Sequence, residues 1–155
     1  MAEIPMMFRG ASTHSLDDKS RLNVPKRFKD TLMEGSAEFV LTASPDGCLL
    51  LTTTDQLASW AEELGGGSPA DESDRRNKRR ALLGHAETVR PDSAGRLLLP
   101  EMSRSWIGLD ANRKEVVLVG TGEAIEIWSG DGWAERRKAI LSSSFQHDEV
   151  ESKAG

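Results

Sequence analysis

The chain has 155 residues, a formal net charge of −5 and a single cysteine. This length accommodates one large domain or two small ones, and one cysteine excludes an intrachain disulfide framework. No apolar run approaches the roughly 20 residues that a membrane-spanning helix requires. The start of the chain, MAEIPMMFRG, lacks the basic region and apolar core of a signal peptide. We therefore expect a cytoplasmic protein without membrane contact.

The first predicted element is a β-hairpin followed by a short helix. Residues 12–24 alternate between apolar and polar types on both sides of the polar stretch Asp17–Ser20, which predicts strand, turn and strand. Pro25 suits the first turn of a helix. The apolar side of that helix is expected to carry Phe28, Leu32 and Met33.

Two further strands and a second helix complete the first half of the chain. Residues 39–42 and 49–52 are β-type runs, joined by a Ser-Pro-Asp-Gly turn. Thr53 or Thr54 is a plausible N-cap of a helix over 55–64, in which apolar residues recur with helical spacing. A Gly-Gly-Gly-Ser-Pro stretch at 65–69 predicts a flexible junction.

The second half begins with a predicted helix over 72–83 and then repeats the order of the first half. It ends in a predicted helix over 131–141, and the polar segment 142–155 is expected to be a disordered tail. The repetition is visible in the residues themselves. HSLDDKSRLNVP at 14–25 aligns with VRPDSAGRLLLP at 89–100, so that Asp17 matches Asp92 and Arg21 matches Arg96.

Several short motifs occur in order along the chain. They are Phe-Arg-Gly at 8–10, two Asp-x-x-x-Arg elements, an Arg-Leu-x-aliphatic-Pro run after each, and Val-Leu-Val-Gly at 117–120 leading to Glu-Ile-Trp at 126–128. With this order and spacing, the chain resembles the MraZ family of bacterial transcriptional regulators over residues 7–141.

The resemblance implies an α+β fold that is mainly β. It consists of two SpoVT/AbrB-like swapped-hairpin modules, over 7–54 and 83–128, related by pseudo-twofold symmetry and flanked by peripheral helices. Each copy has about 50 residues, which is near the lower limit for an independent core, so a shared core is expected. One position departs from the family, because Ser20 replaces a usual glycine. Either the first turn avoids the left-handed conformation or Ser20 adopts it with modest strain.

The resemblance also implies a function. Members of the family form closed homo-oligomeric rings and bind double-stranded DNA at repeated promoter boxes, here expected upstream of the division and cell-wall gene cluster in the nucleoid. The alternative is an antitoxin-like protein that binds DNA and neutralises a toxin, because the same hairpin module occurs in antitoxins. The segment after Leu141 is short and poor in apolar anchors, which counts against that role.

The charge distribution favours DNA contact by the first copy. Residues 8–29 carry six basic and two acidic side chains, a local charge of +4 in an acidic chain. Arginine binds phosphate or guanine through its planar fork. The candidate DNA contacts are Arg9, Lys19, Arg21, Lys26 and Arg27. The residues assigned a mainly structural role are Asp17, Asp92 and Arg96. The second copy has Ala94, Glu101 and Met102 where the first has Lys19, Lys26 and Arg27.

The remaining candidates are weaker. The basic run 75–80 is either a nucleic-acid patch or a solvated helix face neutralised by neighbouring acids. Adjacent Asp17 and Asp18 fit turn capping better than acid–base chemistry. The three histidines and Cys48 do not have metal-ligand spacing. We therefore expect neither enzymatic activity nor a cofactor or metal.

Overall fold

The computed structural model describes residues 8–34, 38–65 and 72–154, with side chains described up to 33 in the first range and up to 143 in the last. The strands and helices follow in chain order: β1 Phe8–Ser15, β2 Arg21–Asn23, α1 Lys26–Glu34, β3 Phe39–Ala43, β4 Leu49–Thr53, α2 Thr54–Glu63, α3 Glu72–Leu82, β5 Glu87–Val89, β6 Arg96–Leu98, α4 Glu101–Trp106, β7 Glu115–Gly122, β8 Ile125–Ser129 and α5 Gly130–Ala154. The expected α+β fold, rich in strands, is confirmed.

The strands of the two copies pair with each other. A six-stranded antiparallel sheet has the order β1-β7-β8-β4-β3-β5, and β2 pairs with β6 in a separate two-stranded sheet, the ribbon. This order reads the same when the copies are exchanged. The register has the same symmetry, because Leu22 lies opposite its repeat equivalent Leu97 in the ribbon. The two modules are therefore swapped and related by a pseudo-twofold axis through the ribbon and the centre of the sheet.

One hydrophobic core joins the ribbon to the sheet. Leu22 and Leu97 point inward from the ribbon, each 1% exposed, and pack in one cluster with sheet residues and with Phe28 of α1. The buried apolar residues of the strands and of the segments next to them come from both copies: Leu16, Leu22, Val24, Phe39, Leu41, Leu49, Leu97, Leu99, Val117, Ile125 and Ile127. A shared core explains how two copies of about 50 residues form a stable structure.

Helices cover the opposite face of the sheet. Val40 of β3, which points away from the main core, packs with Leu57 of α2 and Leu82 of α3. Thr53 caps α2 by accepting a hydrogen bond from Gln56 N, at 3.1 Å. Most of the predicted junction 65–69 lies outside the described residues. Met33 was predicted on the apolar side of α1 but is 45% exposed, because Phe28 and Leu32 already fill that side.

The last helix is longer than predicted. α5 runs from Gly130 to Ala154, so the backbone of 142–154 is helical, in contrast to the disordered tail that its polar composition suggested. The segment from Trp133 to Ala154 contains neither glycine nor proline, so nothing in it interrupts a helix. The polar composition indicated that this part of the chain is little buried, and the side chains of residues 137–143 are exposed.

The two edge strands differ in length. β1 pairs with β7 over eight residues, whereas its equivalent β5 pairs with β3 over only three. Gly10, with a φ of +84°, lies opposite Gly120, and a Cβ at Gly120 would overlap the backbone of Phe8 and Arg9. The Phe-Arg-Gly motif therefore extends β1 along β7.

Candidate nucleic-acid interface

The ribbon presents four side chains on its outer face. Side chains alternate between faces along a strand, so residues that flank the inward Leu22 and Leu97 point outward. Arg21 lies opposite Leu98, and Asn23 lies opposite Arg96. Asn23 and Leu98 are exposed, and the two arginines are partly exposed. A two-stranded antiparallel ribbon of this kind fits the major groove of DNA.

The first turn is organised by Asp17. Its Oδ1 accepts hydrogen bonds from the backbone N–H of Lys19 at 2.8 Å and of Arg21 at 2.9 Å. Its Oδ2 accepts from Arg21 Nε at 2.8 Å. The Arg21 backbone N–H is the main cause that lowers the pKa of Asp17, and the Lys19 N–H and the Arg21 side chain act in the same direction. The carboxylate thus shapes the turn and fixes its arginine.

The second turn has the same construction. Asp92 Oδ1 accepts from the backbone N–H of Ala94 at 3.0 Å and of Arg96 at 2.9 Å, and Oδ2 accepts from Arg96 Nε at 3.0 Å. The Arg96 backbone N–H is again the main cause that lowers the pKa of Asp92. Within the described residues, the hydrogen bonds of Arg21 and Arg96 side chains use Nε only. The Nη groups therefore keep donors available for a ligand.

The two turns differ at the left-handed position. Ser20 adopts a φ of +61°, as Gly95 adopts +80°. This conformation lets each turn reach the other copy, because Ser20 O accepts from Leu99 N at 3.0 Å and Gly95 O accepts from Val24 N at 3.1 Å. Of the two alternatives stated above, Ser20 thus adopts the left-handed conformation, which costs a non-glycine residue about 1–2 kcal/mol.

A lysine of the first copy covers the second turn. Lys29 of α1 donates from Nζ to the carbonyl of Ala94 at 3.1 Å, and a Cβ at Gly95 would overlap the Lys29 side chain. The equivalent residue of the second copy, Arg104, instead donates to Leu99 O at 3.0 Å. The sequence repeat did not indicate this cross-copy contact.

The first hairpin has a basic neighbour, which we call the shoulder and define as Arg9 of β1 with Lys26 and Arg27 of α1. Arg27 Nη2 donates to Ser12 Oγ at 2.8 Å, and Arg27 Nε donates to Arg9 O at 3.3 Å. These bonds hold the start of α1 against β1. All three shoulder residues are exposed, as is Lys19 in the turn. The structure therefore brings the shoulder residues together where α1 begins beside β1.

The matching positions of the second copy are not basic. The strand register and the repeat place Gly84 at the position of Arg9 and Glu87 at that of Ser12. Glu101 and Met102 occupy the positions of Lys26 and Arg27. The sequence repeat did not indicate Glu87 as the counterpart of Ser12, because β5 is too short for its alignment with β1 to be evident.

The basic run 75–80 lies on the other side of the sheet. Its helix, α3, packs through Leu82 against the face opposite the ribbon. Several of its cations have partners, since Lys78 pairs with Asp74 at 3.0 Å and Arg76 pairs with Glu72 at 3.7 Å. Arg79 Nη2 donates to Leu64 O at 3.3 Å. The structure does not bring this run together with the first hairpin.

Other chemistries have little support in the described part of the chain. No cluster of His, Cys, Asp and Glu in residues 8–34, 38–65 and 72–154 is arranged to hold a metal ion. Burial raises the pKa of the Cys48 thiol to about 12, which disfavours the reactive thiolate. None of the described helices combines the length and apolar character needed to span a bilayer.

Comparison with known proteins agrees with the repeated architecture. The sequence profile of the family described as "MraZ protein, putative antitoxin-like" matches residues 7–79 and again 82–153. A relative named "Transcriptional regulator MraZ" from Thiobacillus denitrificans is 41% identical over 139 residues, covering 89% of this chain and 91% of the relative. A relative of the same name from Hydrogenovibrio crunogenus is 35% identical over 150 residues, covering 95% of each chain. The chain therefore belongs to the MraZ family.

Proposed function

We propose that this protein is a sequence-specific DNA-binding transcriptional regulator that uses the ribbon and the shoulder to contact repeated promoter boxes. The observation that carries the proposal is the position of Arg21. Its Nε is fixed by Asp17, it lies on the outward face of the ribbon, and the exposed Lys19 belongs to the same turn. The names of the relatives support a role in transcription. The protein acts without enzymatic activity, in the cytoplasm and at the nucleoid.

The contacts divide between bases and phosphates. Arg21 is proposed to reach a base edge, because its Nη donors are free to form the paired hydrogen bonds that guanine O6 and N7 accept. Arg9, Lys19, Lys26 and Arg27 are proposed to contact phosphates, because they lie around the ribbon rather than on its face. Asp17 and Asp92 act indirectly by holding their arginines. Arg96 is proposed to contribute less, because its own copy has Ala94, Glu101 and Met102 where the first copy has basic residues.

The proposed assembly is a homo-oligomeric ring. Large apolar side chains remain exposed on α4 and α5: Met102, Trp106, Ile140 and Leu141. Exposed apolar groups of this kind are typical of contacts between subunits. Heterologous contacts close into rings when the rotation between subunits permits. Light scattering is expected to give a species larger than a dimer, and a monomer at micromolar concentration would contradict this part of the proposal.

Avidity explains why repeated boxes are the proposed target. One ribbon offers few contacts and binds weakly. Ribbons on one ring engage successive boxes, and each later contact is intramolecular with a high effective concentration. The proposed boxes lie upstream of the division and cell-wall gene cluster.

The test is a titration of promoter DNA at several salt concentrations. Arg21→Ala is expected to abolish specific binding, because a lost base contact costs roughly 1–3 kcal/mol at every engaged box. The matched control is Arg76→Ala, which removes an exposed arginine on the opposite face of the sheet. The oligomeric state of each variant is measured first. If Arg21→Ala retains its assembly and binds like wild type, the proposal is wrong.

A further inference from the structure

The outer face of the ribbon follows the pseudo-twofold symmetry only in part. Arg21 and Arg96 are repeat equivalents, and each is bound by its aspartate in the same way. Asn23 and Leu98 are also equivalents, but one is a polar amide and the other is apolar. The face therefore carries three side chains with N–H donors and one leucine, which is 57% exposed.

The ribbon has a spacing that matches DNA. Arg21 with Leu98 and Asn23 with Arg96 form two cross-strand pairs on the same face. These pairs are two residues apart, which corresponds to about 6.8 Å along a strand. Successive base pairs are about 3.4 Å apart along the DNA axis, so the two pairs match positions about two base pairs apart. A ribbon in the major groove would thus present Leu98 close to the base pair that Arg21 contacts.

Leucine has one apolar partner in that groove. The base edges there offer hydrogen-bond donors and acceptors and the C5-methyl group of thymine. A leucine against any other base edge would desolvate a polar group without replacing its hydrogen bond. We propose that Leu98 contacts a thymine methyl group and is a specificity-determining residue of the ribbon. This inference rests on the proposed function, because it requires the outer face to enter the groove.

The proposal has a consequence for the DNA site. A face with twofold symmetry would bind a box equally in either direction. Asn23 and Leu98 break that symmetry, since an asparagine amide pairs with adenine N6 and N7 whereas leucine contacts a methyl group. The box is therefore read in one direction.

The experiment removes single methyl groups from the DNA. Boxes are first selected from a random double-stranded library by the wild-type protein. Each thymine on either strand is then replaced in turn by deoxyuridine, which lacks only the C5-methyl group. Binding is measured for wild type, for Leu98→Ala and for the control Leu83→Ala. Leu83 is 45% exposed and lies outside the ribbon, at the end of α3. The assembly of each variant is checked by light scattering.

We expect one thymine position at which deoxyuridine weakens wild-type binding about fourfold, the value for one buried methyl group. The same replacement should have no effect with Leu98→Ala and the full effect with Leu83→Ala, which is the signature of a direct contact. The inference would be overturned if no deoxyuridine replacement weakened wild-type binding, or if the replacement weakened binding of Leu98→Ala as much as binding of wild type. Either result would leave the proposed function intact. If the wild type selects no boxes, both the inference and the proposed function are wrong.

Discussion

Asp17 and Asp92 hold their arginines with the same set of hydrogen bonds, whereas the residues around the two turns have diverged. The first copy carries the basic shoulder, whereas the equivalent positions of the second copy carry Glu101 and Met102. The Asp-x-x-x-Arg element therefore explains how each hairpin is built, but not what each hairpin binds. The difference in charge between the two copies is what separates their proposed roles.

The largest expected effect on stability concerns the longer edge strand. Gly120→Ala places a Cβ against the backbone of Phe8 and Arg9, so β1 must move away from β7. We expect a loss of about 3 kcal/mol in the free energy of unfolding, measured with urea, because backbone rather than a flexible side chain is displaced.

The control for that variant is Gly47→Ala, at a φ of +95° with no atom within 4 Å of the added Cβ. Its free energy of unfolding is expected to fall by only about 1–2 kcal/mol, the cost of placing a residue with a Cβ in the left-handed conformation. Equal losses for the two variants would show that the close approach of β1 does not depend on Gly120.

Exchanging serine and glycine between positions 20 and 95 should change the free energy of unfolding by different amounts. Ser20→Gly is expected to stabilise the protein by up to about 1 kcal/mol, since the left-handed strain is relieved and part of the gain is lost to the flexibility of glycine in the unfolded chain. Gly95→Ser is expected to cost about 2 kcal/mol, because it adds that strain and displaces Lys29. Thermal and urea unfolding measure both changes.

Lys29→Ala provides the control for this comparison. In that background Gly95→Ser should cost less, because the displaced side chain is gone. Effects of Ser20→Gly and Gly95→Ser that are equal in size and opposite in sign would show that Lys29 does not distinguish the two turns.

Exchanging the charges of the equivalent residues Lys26 and Glu101 tests which copy contributes more to DNA binding. Lys26→Glu should weaken binding to all DNA sequences, because a phosphate contact is lost. The slope of the logarithm of the binding constant against the logarithm of the salt concentration should become shallower by about one unit. Glu101→Lys should strengthen binding and increase the slope by up to one unit. Both side chains are exposed, so neither change should affect folding. If Glu101→Lys alters binding more than Lys26→Glu does, the second copy is the main DNA surface.

The smallest expected effect is the response of the turns to acid. The pKa values of Asp17 and Asp92 are lowered in the folded protein, mainly by the backbone N–H groups of their arginines. The folded state therefore binds fewer protons than the unfolded state, in which an aspartate has a pKa of about 3.9. Their stabilising contribution is complete above about pH 5 and is lost as the pH falls through the lowered values.

Asp17→Asn and Asp92→Asn measure that contribution separately. Each should flatten the fall in unfolding free energy below about pH 4 by the same amount, because the two carboxylates accept the same hydrogen bonds. A much larger change for one variant would show that the turns are not equivalent in structure.

Much of the fold follows from local patterns. Alternation over 12–24 predicted two strands joined by a turn, but β1 and β2 pair with β7 and β6 of the other copy instead of with each other. Helical spacing predicted α2, and of the two cap candidates Thr53 is the one that caps it. The pairing of β1 with β7 depends on contacts between distant parts of the chain. The family resemblance implied swapped-hairpin modules, but residue periodicity does not identify strand partners, so this pairing was not predicted.

The site was less accessible to sequence reasoning. The basic residues of the first copy were identifiable by type and position. In contrast, the contact of Lys29 with the second turn and the exposure of Leu98 depend on how α1 and the ribbon are placed in space. The left-handed conformation of Ser20 was one of two alternatives from the sequence, and it is accompanied by a hydrogen bond from Leu99 N to the Ser20 carbonyl that the sequence did not indicate.

The most direct test of the different roles of the two turns is a side-by-side titration of promoter DNA with Arg21→Ala and Arg96→Ala. Both variants lose the same ion pair with an aspartate, so their structural effects are matched. Light scattering and thermal unfolding confirm that each variant remains assembled and folded. We predict that Arg21→Ala loses specific binding and that Arg96→Ala retains most of it. Equal losses would contradict the assignment of the first hairpin as the main DNA contact.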